Sequence, residues 1–126
     1  MGKAQNISLG SAMLAVALST PAAAQDANAG AVIFKRCAIC HSADPAKGPK
    51  IGPALNGIVG RKAGTAAGFA YSPAMAKSGI SWTAEKLDAF IARPSGLIAG
   101  NRMAFGGIAD AKQRSDLIAY LKSLPK

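Results

Sequence analysis

Beyond residue 24, apolar positions recur at spacings of three and four, and nowhere do they alternate with period two for long enough to make a strand. The pattern predicts helices joined by loops rich in glycine and proline. The first helix is expected over about Ala27 to Arg36, with Asp26 or Asn28 as its N-cap. Val32, Ile33, Arg36 and Cys37 fall at helical spacing, and Gly30 and Phe34 lie four apart on a second stripe. A glycine inside a helix costs about 1 kcal/mol against alanine, so Gly30 marks a place where another element approaches closely. Residues 72–79 (SPAMAKSG) read as a short helix, with Ser72 at the N-cap, Pro73 at the first position and Gly79 just past the end. A further helix is expected from Thr83 to Arg93, capped by Thr83, buried along Leu87, Phe90 and Ile91, and stopped by Pro94. The last begins at Asp110, which forms a variant capping box with Gln113, and its apolar face is Leu117, Leu121 and Leu124 beside Ile118 and Tyr120.

The connections are as informative as the helices. Asp44-Pro45, Gly48-Pro49 and Gly52-Pro53 each break helix, and Gly57, Gly60, Gly64 and Gly68 punctuate a long loop in which Leu55, Ile58 and Val59 are expected core residues. A second glycine-rich loop, from Ser95 to Ile108, holds Met103 and Phe105. Loops of this length in a small domain are usually functional.

The first 24 residues have another character. Lys3 gives a positive start, Ile7 to Thr20 is an apolar run of signal-peptide length, and Pro21 with Ala22, Ala23 and Ala24 makes a small-residue cleavage site before Gln25. The run is shorter than the roughly 20 residues of a membrane-spanning helix. The expected organisation is therefore a cleaved signal peptide, residues 1–24, and one domain, residues 25–126, released to the periplasm with no stable membrane insertion; the rival reading of the leader is an uncleaved anchor. A domain so small buries only about 60–65% of the surface its unfolded chain exposes, and a large apolar cofactor would enlarge its core.

The candidate for that cofactor site is Cys37-Ala38-Ile39-Cys40-His41. Two thiols separated by two residues and followed at once by histidine are the attachment signal of c-type haem. Each thiol can form a thioether with one vinyl group of the same haem, and the imidazole is a good axial ligand to its iron. The chain has two cysteines and one histidine in all, so it cannot supply the four nitrogen and sulfur ligands of a structural zinc. A redox dithiol of the thioredoxin kind wants a βαβ context, which the pattern lacks. With no cysteine to spare for cross-links between distant segments, folding is expected to be coupled to binding of the cofactor.

Charge narrows the partners. The chain carries 15 basic and 6 acidic residues, a formal +9, and removal of Lys3 with the leader lowers this to +8. Two ionised haem propionates would bring it to about +6. Such a field steers encounter with acidic partners. Nucleic acid, the usual rival, is not expected, because the basic residues are scattered and the leader implies export.

Beyond the CAICH segment the chain carries Gly52-Pro53-x-Leu55, Gly57-x-x-Gly60-Arg61-Lys62-x-Gly64 and Gly68-Phe69-x-Tyr71. It goes on to Gly79-Ile80-x-Trp82, Gly100-x-x-Met103-x-Phe105-x-Gly107 and Arg114-x-Asp116-Leu117-Ile118-Ala119-Tyr120-Leu121. In this order, over about 90 residues, the motifs resemble the class I cytochromes c, both the mitochondrial protein and the bacterial cytochromes c2. The resemblance implies an all-α fold whose helices and loops wrap one covalently attached haem, with the N- and C-terminal helices crossing where Gly30 and Phe34 meet Leu117 and Tyr120. It implies haem c joined through Cys37 and Cys40, and iron held by His41 and Met103; Met75, on its short helix, reads as gap-filling core. It places the Pro53 carbonyl on the other nitrogen of His41, and sets Arg61, Tyr71, Trp82 and Asn101 around a buried propionate, whose charge needs hydrogen bonds where water is excluded.

The function so implied is that of a soluble, monomeric electron carrier, with no catalytic residues, shuttling single electrons between respiratory or photosynthetic partners. The donor would be a bc1-type complex or a periplasmic dehydrogenase, and the acceptor a terminal oxidase or reaction centre. The rival is a haem peroxidase, open if Met103 leaves the iron easily. Two departures from the family bear on this. Ala99-Gly100 replaces the family's Pro-Gly, removing a φ restraint from the loop. Ser95, Gly96, Ala109 and Ala111 stand where relatives often carry lysine, leaving Lys35, Arg36, Lys50, Arg102 and Lys112 as candidate docking cations.

Overall fold

The structure is a computed structural model that describes residues 1–5, 10–18 and 24–126. Much of the expected leader, including Ile7 and residues 19–23 with most of the cleavage site, lies outside the described residues. No helix among the described residues is long and apolar enough to cross a membrane.

Among the described residues are five α-helices and one 3-10 turn: α1 (Ala27–Phe34), the turn Pro45–Lys47, α2 (Pro73–Ala76), α3 (Ala84–Ala92), α4 (Pro94–Leu97) and α5 (Ala111–Ser123). The extended pairing among the described residues is a single bridge between Lys62 and Ser81. Each major helix starts at the expected cap. The Asp26 carboxylate accepts from the amides of Asn28 and Ala29, Ser72 from Met75, Thr83 from Lys86 and Asp110 from Gln113. A side-chain cap of this kind is worth about 1 kcal/mol.

Three boundaries differ from expectation; α2 stops at Ala76, with Lys77 as its C-cap, short of the expected end before Gly79. α1 ends at Phe34 rather than Arg36, because the chain tightens there: the Cys37 amide donates to Phe34 O, and the Cys40 amide to Cys37 O. Pro94 does end α3, but it also sits at the first position of α4. Proline lacks the amide that a helix start leaves unpaired, so one residue closes one helix and opens another.

The terminal helices pack on each other, and α3 packs against α4 and α5. Gly30 permits the first contact: a Cβ there would collide with the Asp116 backbone oxygen and come within 2.8 Å of Tyr120 Cβ. One turn on, the Phe34 and Tyr120 rings lie 5.1 Å apart and tilted by 49°, a geometry worth about 0.5–1.5 kcal/mol beyond the area buried. Phe34, Leu117, Ile118 and Leu121 then continue into the Leu87, Phe90 and Ile91 face of α3, with Trp82, Ile98 and Ile108 closing the core. Asp116 is buried on the same helix face. It is paid no attention by apolar periodicity, yet it ties both ends of the chain: its carboxylate accepts from the Asp26 amide and from Lys112 Nζ.

Candidate functional site

The turn after α1 places three reactive side chains within five residues. The amides of Cys40 and His41 both donate to Cys37 O, at 3.0 and 2.9 Å. Cys37 and Cys40 are free thiols, half-buried. Burial pushes the Cys37 thiol above its ordinary pKa, with Arg36 opposing. The loop that follows is stitched back onto this turn, since Gly52 N donates to Cys40 O at 2.8 Å and Leu55 N to Ser42 O at 2.8 Å.

That stitching fixes the imidazole. His41 Nδ1 lies 2.7 Å from Pro53 O. A carbonyl can only accept, so Nδ1 carries the proton and Nε2 keeps its lone pair. Gly52 packs on the ring face, where a Cβ would meet His41 Cε1 at 2.5 Å and Nδ1 at 2.8 Å. The His41 pKa is held below its ordinary value, first by burial and also by the Lys50 charge, against the Pro53 hydrogen bond, which raises it. A neutral imidazole with a fixed tautomer is the form that binds a metal.

Met103 lies in the second long loop, its thioether half-buried against the same core that Cys37 touches. Asn101 shapes its approach: Oδ1 accepts from the Met103 amide at 2.9 Å, and Nδ2 donates to Ile98 O at 2.7 Å. Met75 packs on the core from α2.

The remaining predicted residues are placed less uniformly. Arg61 and Trp82 are joined through their backbones, the Trp82 amide donating to Arg61 O at 2.8 Å. The Arg61 guanidinium donates from Nη1 to Asn56 O and from Nη2 to Ala54 O; burial lowers its pKa, with no consequence for its charge at neutral pH. The Tyr71 hydroxyl accepts from the Ala66 amide, and its ring packs edge-on to Phe69. Trp82 is buried against Phe90, ring centroids 5.0 Å apart. No hydrogen bond joins the side chains of Arg61, Tyr71 and Trp82 to one another among the described residues. Two contributors escape sequence reasoning. Gly52 is legible only as a loop breaker and a motif letter, and Arg114 only as a motif letter; the latter's partners lie up to 26 residues away.

The residue set fits a covalently held haem: paired unlinked thiols, an adjacent imidazole with a free Nε2, and a soft thioether in a separate loop. The cytochrome c family model matches residues 27–125. This chain belongs to the cytochrome c family. It is 51% identical to a cytochrome c2 of Blastochloris viridis over 102 residues, covering 81% of this chain and 80% of that protein. It is 47% identical to a cytochrome c of Gibberella zeae, covering 80% of this chain and 96% of the relative. Among solved structures it resembles cytochrome cH from Methylobacterium extorquens, with a TM-score of 0.74 and 42% identity, covering 78% of this chain and 98% of the other. As a cytochrome c, the chain carries one haem, bound covalently in its Cys37–Cys40 arrangement, and serves electron transfer rather than catalysis. When bound, the haem would supply a one-electron iron couple, with Cys37 and Cys40 to attach it, His41 and Met103 as candidate iron donors, and an apolar surround from the core.

Proposed function

We propose that this cytochrome c is an exported carrier whose iron is held between His41 Nε2 and the Met103 sulfur, and that it passes single electrons between acidic redox proteins. The observation that supports the reading most is the 2.7 Å contact between His41 Nδ1 and Pro53 O, which reserves Nε2 for a metal. The Asn101–Met103 amide contact supports Met103 over Met75 as the second donor, because it orients a loop rather than a helix face. Histidine and methionine together raise the reduction potential, and with both in place no position is open to peroxide.

Each residue then has a role that needs no catalysis. Cys37 and Cys40 keep the cofactor from dissociating. His41 and Met103 hold the iron in similar surroundings in both oxidation states. Arg61, Tyr71, Trp82 and Asn101 line the propionate side. Removal of residues 1–24 during export yields a mature chain beginning at Gln25, which an intact mass of the periplasmic protein measures.

Docking is assigned to the exposed cations beside the attachment turn and the Met103 loop, chiefly Arg36, Lys50 and Arg102. The partners in view are a bc1-type complex or periplasmic dehydrogenase as donor, and a terminal oxidase or reaction centre as acceptor. The test is the second-order rate of reduction by a bc1 preparation as salt is raised. The Debye length falls from about 30 Å at 0.01 M to about 8 Å at 0.15 M, so the rate should fall. Arg36→Glu and Arg102→Glu should each slow it at low salt, since rim charges act mainly on association. Lys126→Glu, an equal change of net charge elsewhere, should slow it far less. Equal slowing by all three would refute a localised docking patch, and a high peroxidase rate with no reduction by the complex would refute the carrier reading.

A further inference from the structure

The loop that carries Met103 must return to α5, and at that return one side chain binds two successive carbonyls. We propose that Arg114 is a positioning residue for Met103: by holding the carbonyls of the loop's return against the start of α5, it sets how readily the sulfur leaves the iron. The inference rests on the assignment of Met103 as an iron ligand.

The path of the loop leaves little freedom at its far end. Gly107 has φ +103, and a Cβ there would collide with the Ala92 carbonyl oxygen and lie 3.1 Å from Ile91 O. The next residue, Ile108, is buried, and its amide donates to Ile91 O at 2.9 Å. The chain thus passes tightly over the C-terminal end of α3. The carbonyls of Ile108 and Ala109 then face Arg114, one turn inside α5. Arg114 Nη1 donates to both, at 2.9 and 2.8 Å, and Nε donates to Asp88 Oδ1 on α3 at 2.7 Å. The Arg114 side chain is only 14% exposed, so these bonds form largely out of water, whereas Asp88 is 47% exposed. An ion pair with a half-exposed carboxylate contributes little. The two charge-assisted bonds to carbonyls, partly desolvated, are the stronger hold.

The near end of the loop is held more lightly. Arg102 Nη2 reaches Ala70 O at 3.2 Å from an exposed position, and Asn101 bonds only within the loop. Ile108 is five positions beyond Met103, and an extended run of five peptide units can span about 17 Å. The distance over which the sulfur can stray is therefore set by whether the return at residues 107–109 stays fixed. Ala99, in place of a φ-restraining proline, puts more of that burden on Arg114.

The test uses imidazole as a competitor for the iron in the ferric holoprotein. The wild type should show the weak red band of iron–sulfur ligation, and imidazole should bleach it. Arg114→Ala should bind imidazole about tenfold to a hundredfold more tightly, as expected for the loss of two or three charge-assisted bonds from the closed state. Arg114→Lys keeps the charge without the fork and should fall between the two. Asp88→Asn should change affinity by about twofold at most. Thr83→Ala, which removes the α3 cap far from the loop, controls for general destabilisation. It should lower the denaturation midpoint with imidazole affinity unchanged. If Arg114→Ala lowers the midpoint but leaves imidazole affinity at the wild-type value, Arg114 is merely structural and the inference fails. If Arg114→Ala does not fold, a wild-type affinity in Arg114→Lys overturns it equally. Absence of the red band from the wild type would instead refute the Met103 assignment beneath it.

Discussion

His41 Nδ1 and the Pro53 carbonyl oxygen are 2.7 Å apart, and the neighbouring Gly52 lies so close to the imidazole that a Cβ there would meet the ring. The contact assigns the ring proton, and the missing Cβ provides the room for it. Gly52→Ala should therefore push the ring off Pro53 O, because the added carbon would sit 2.5 Å from Cε1 and the backbone beneath it is tied to Cys40 O. We expect a lower yield of holoprotein and a loss of about 1–3 kcal/mol in denaturant unfolding, the usual range for overpacking. Haem absorbance per protein and the unfolding midpoint measure both. An unchanged variant would contradict the placement of the ring.

Gly30→Ala should also destabilise. Alanine gains about 1 kcal/mol of helix propensity over glycine, but here its Cβ meets the Asp116 backbone oxygen and Tyr120 Cβ, and a backbone oxygen cannot step aside. The α1–α5 crossing must open, with a net loss of about 1–3 kcal/mol. Gly106→Ala is the matched control: nothing lies within 4 Å of its Cβ position and its φ is not in the left-handed region. It should be neutral or stabilising by up to about 1 kcal/mol. Chemical denaturation of the three proteins checks the ordering.

The contrast between these sites shows what the chain states openly. Caps are local, so Ser72, Thr83 and Asp110 were readable one by one, and only the choice of Asp26 over Asn28 needed coordinates. The crossing at Gly30 was readable because an interior glycine is costly and needs a reason. The attachment turn was readable because its chemistry is confined to five residues. The Arg114–Asp88 pair was not, since its partners are 26 residues apart and each alone reads as a solvated charge. Asp116 was hidden for the same reason: it stands among apolar neighbours on α5, and its partner amide is 90 residues away. Pro94 satisfies both the rule for helix ends and the rule for helix starts, and only the fold shows that both are obeyed.

Asp116 makes stability depend on acid. The Lys112 ammonium, and then the Asp26 amide, hold its carboxyl below the ordinary carboxylate value. The unfolded chain takes up the proton near pH 4, while the folded chain resists it, so the contribution is complete above that value and is lost as pH falls through the folded one. Asp116→Asn keeps the shape and removes the titration. Its unfolding midpoint should vary less than the wild type's between pH 5 and pH 2, and identical slopes would contradict the assignment.

If a single iron is held by His41 and Met103, as proposed, the ferric absorption spectrum should show it. The weak red band reports sulfur on ferric iron. Met103→Ala should abolish it, lower the reduction potential and raise peroxidase activity, whereas Met75→Ala should keep the band and lose only stability, since that side chain packs on the core from α2. Loss of the band in Met75→Ala with its survival in Met103→Ala would contradict the account.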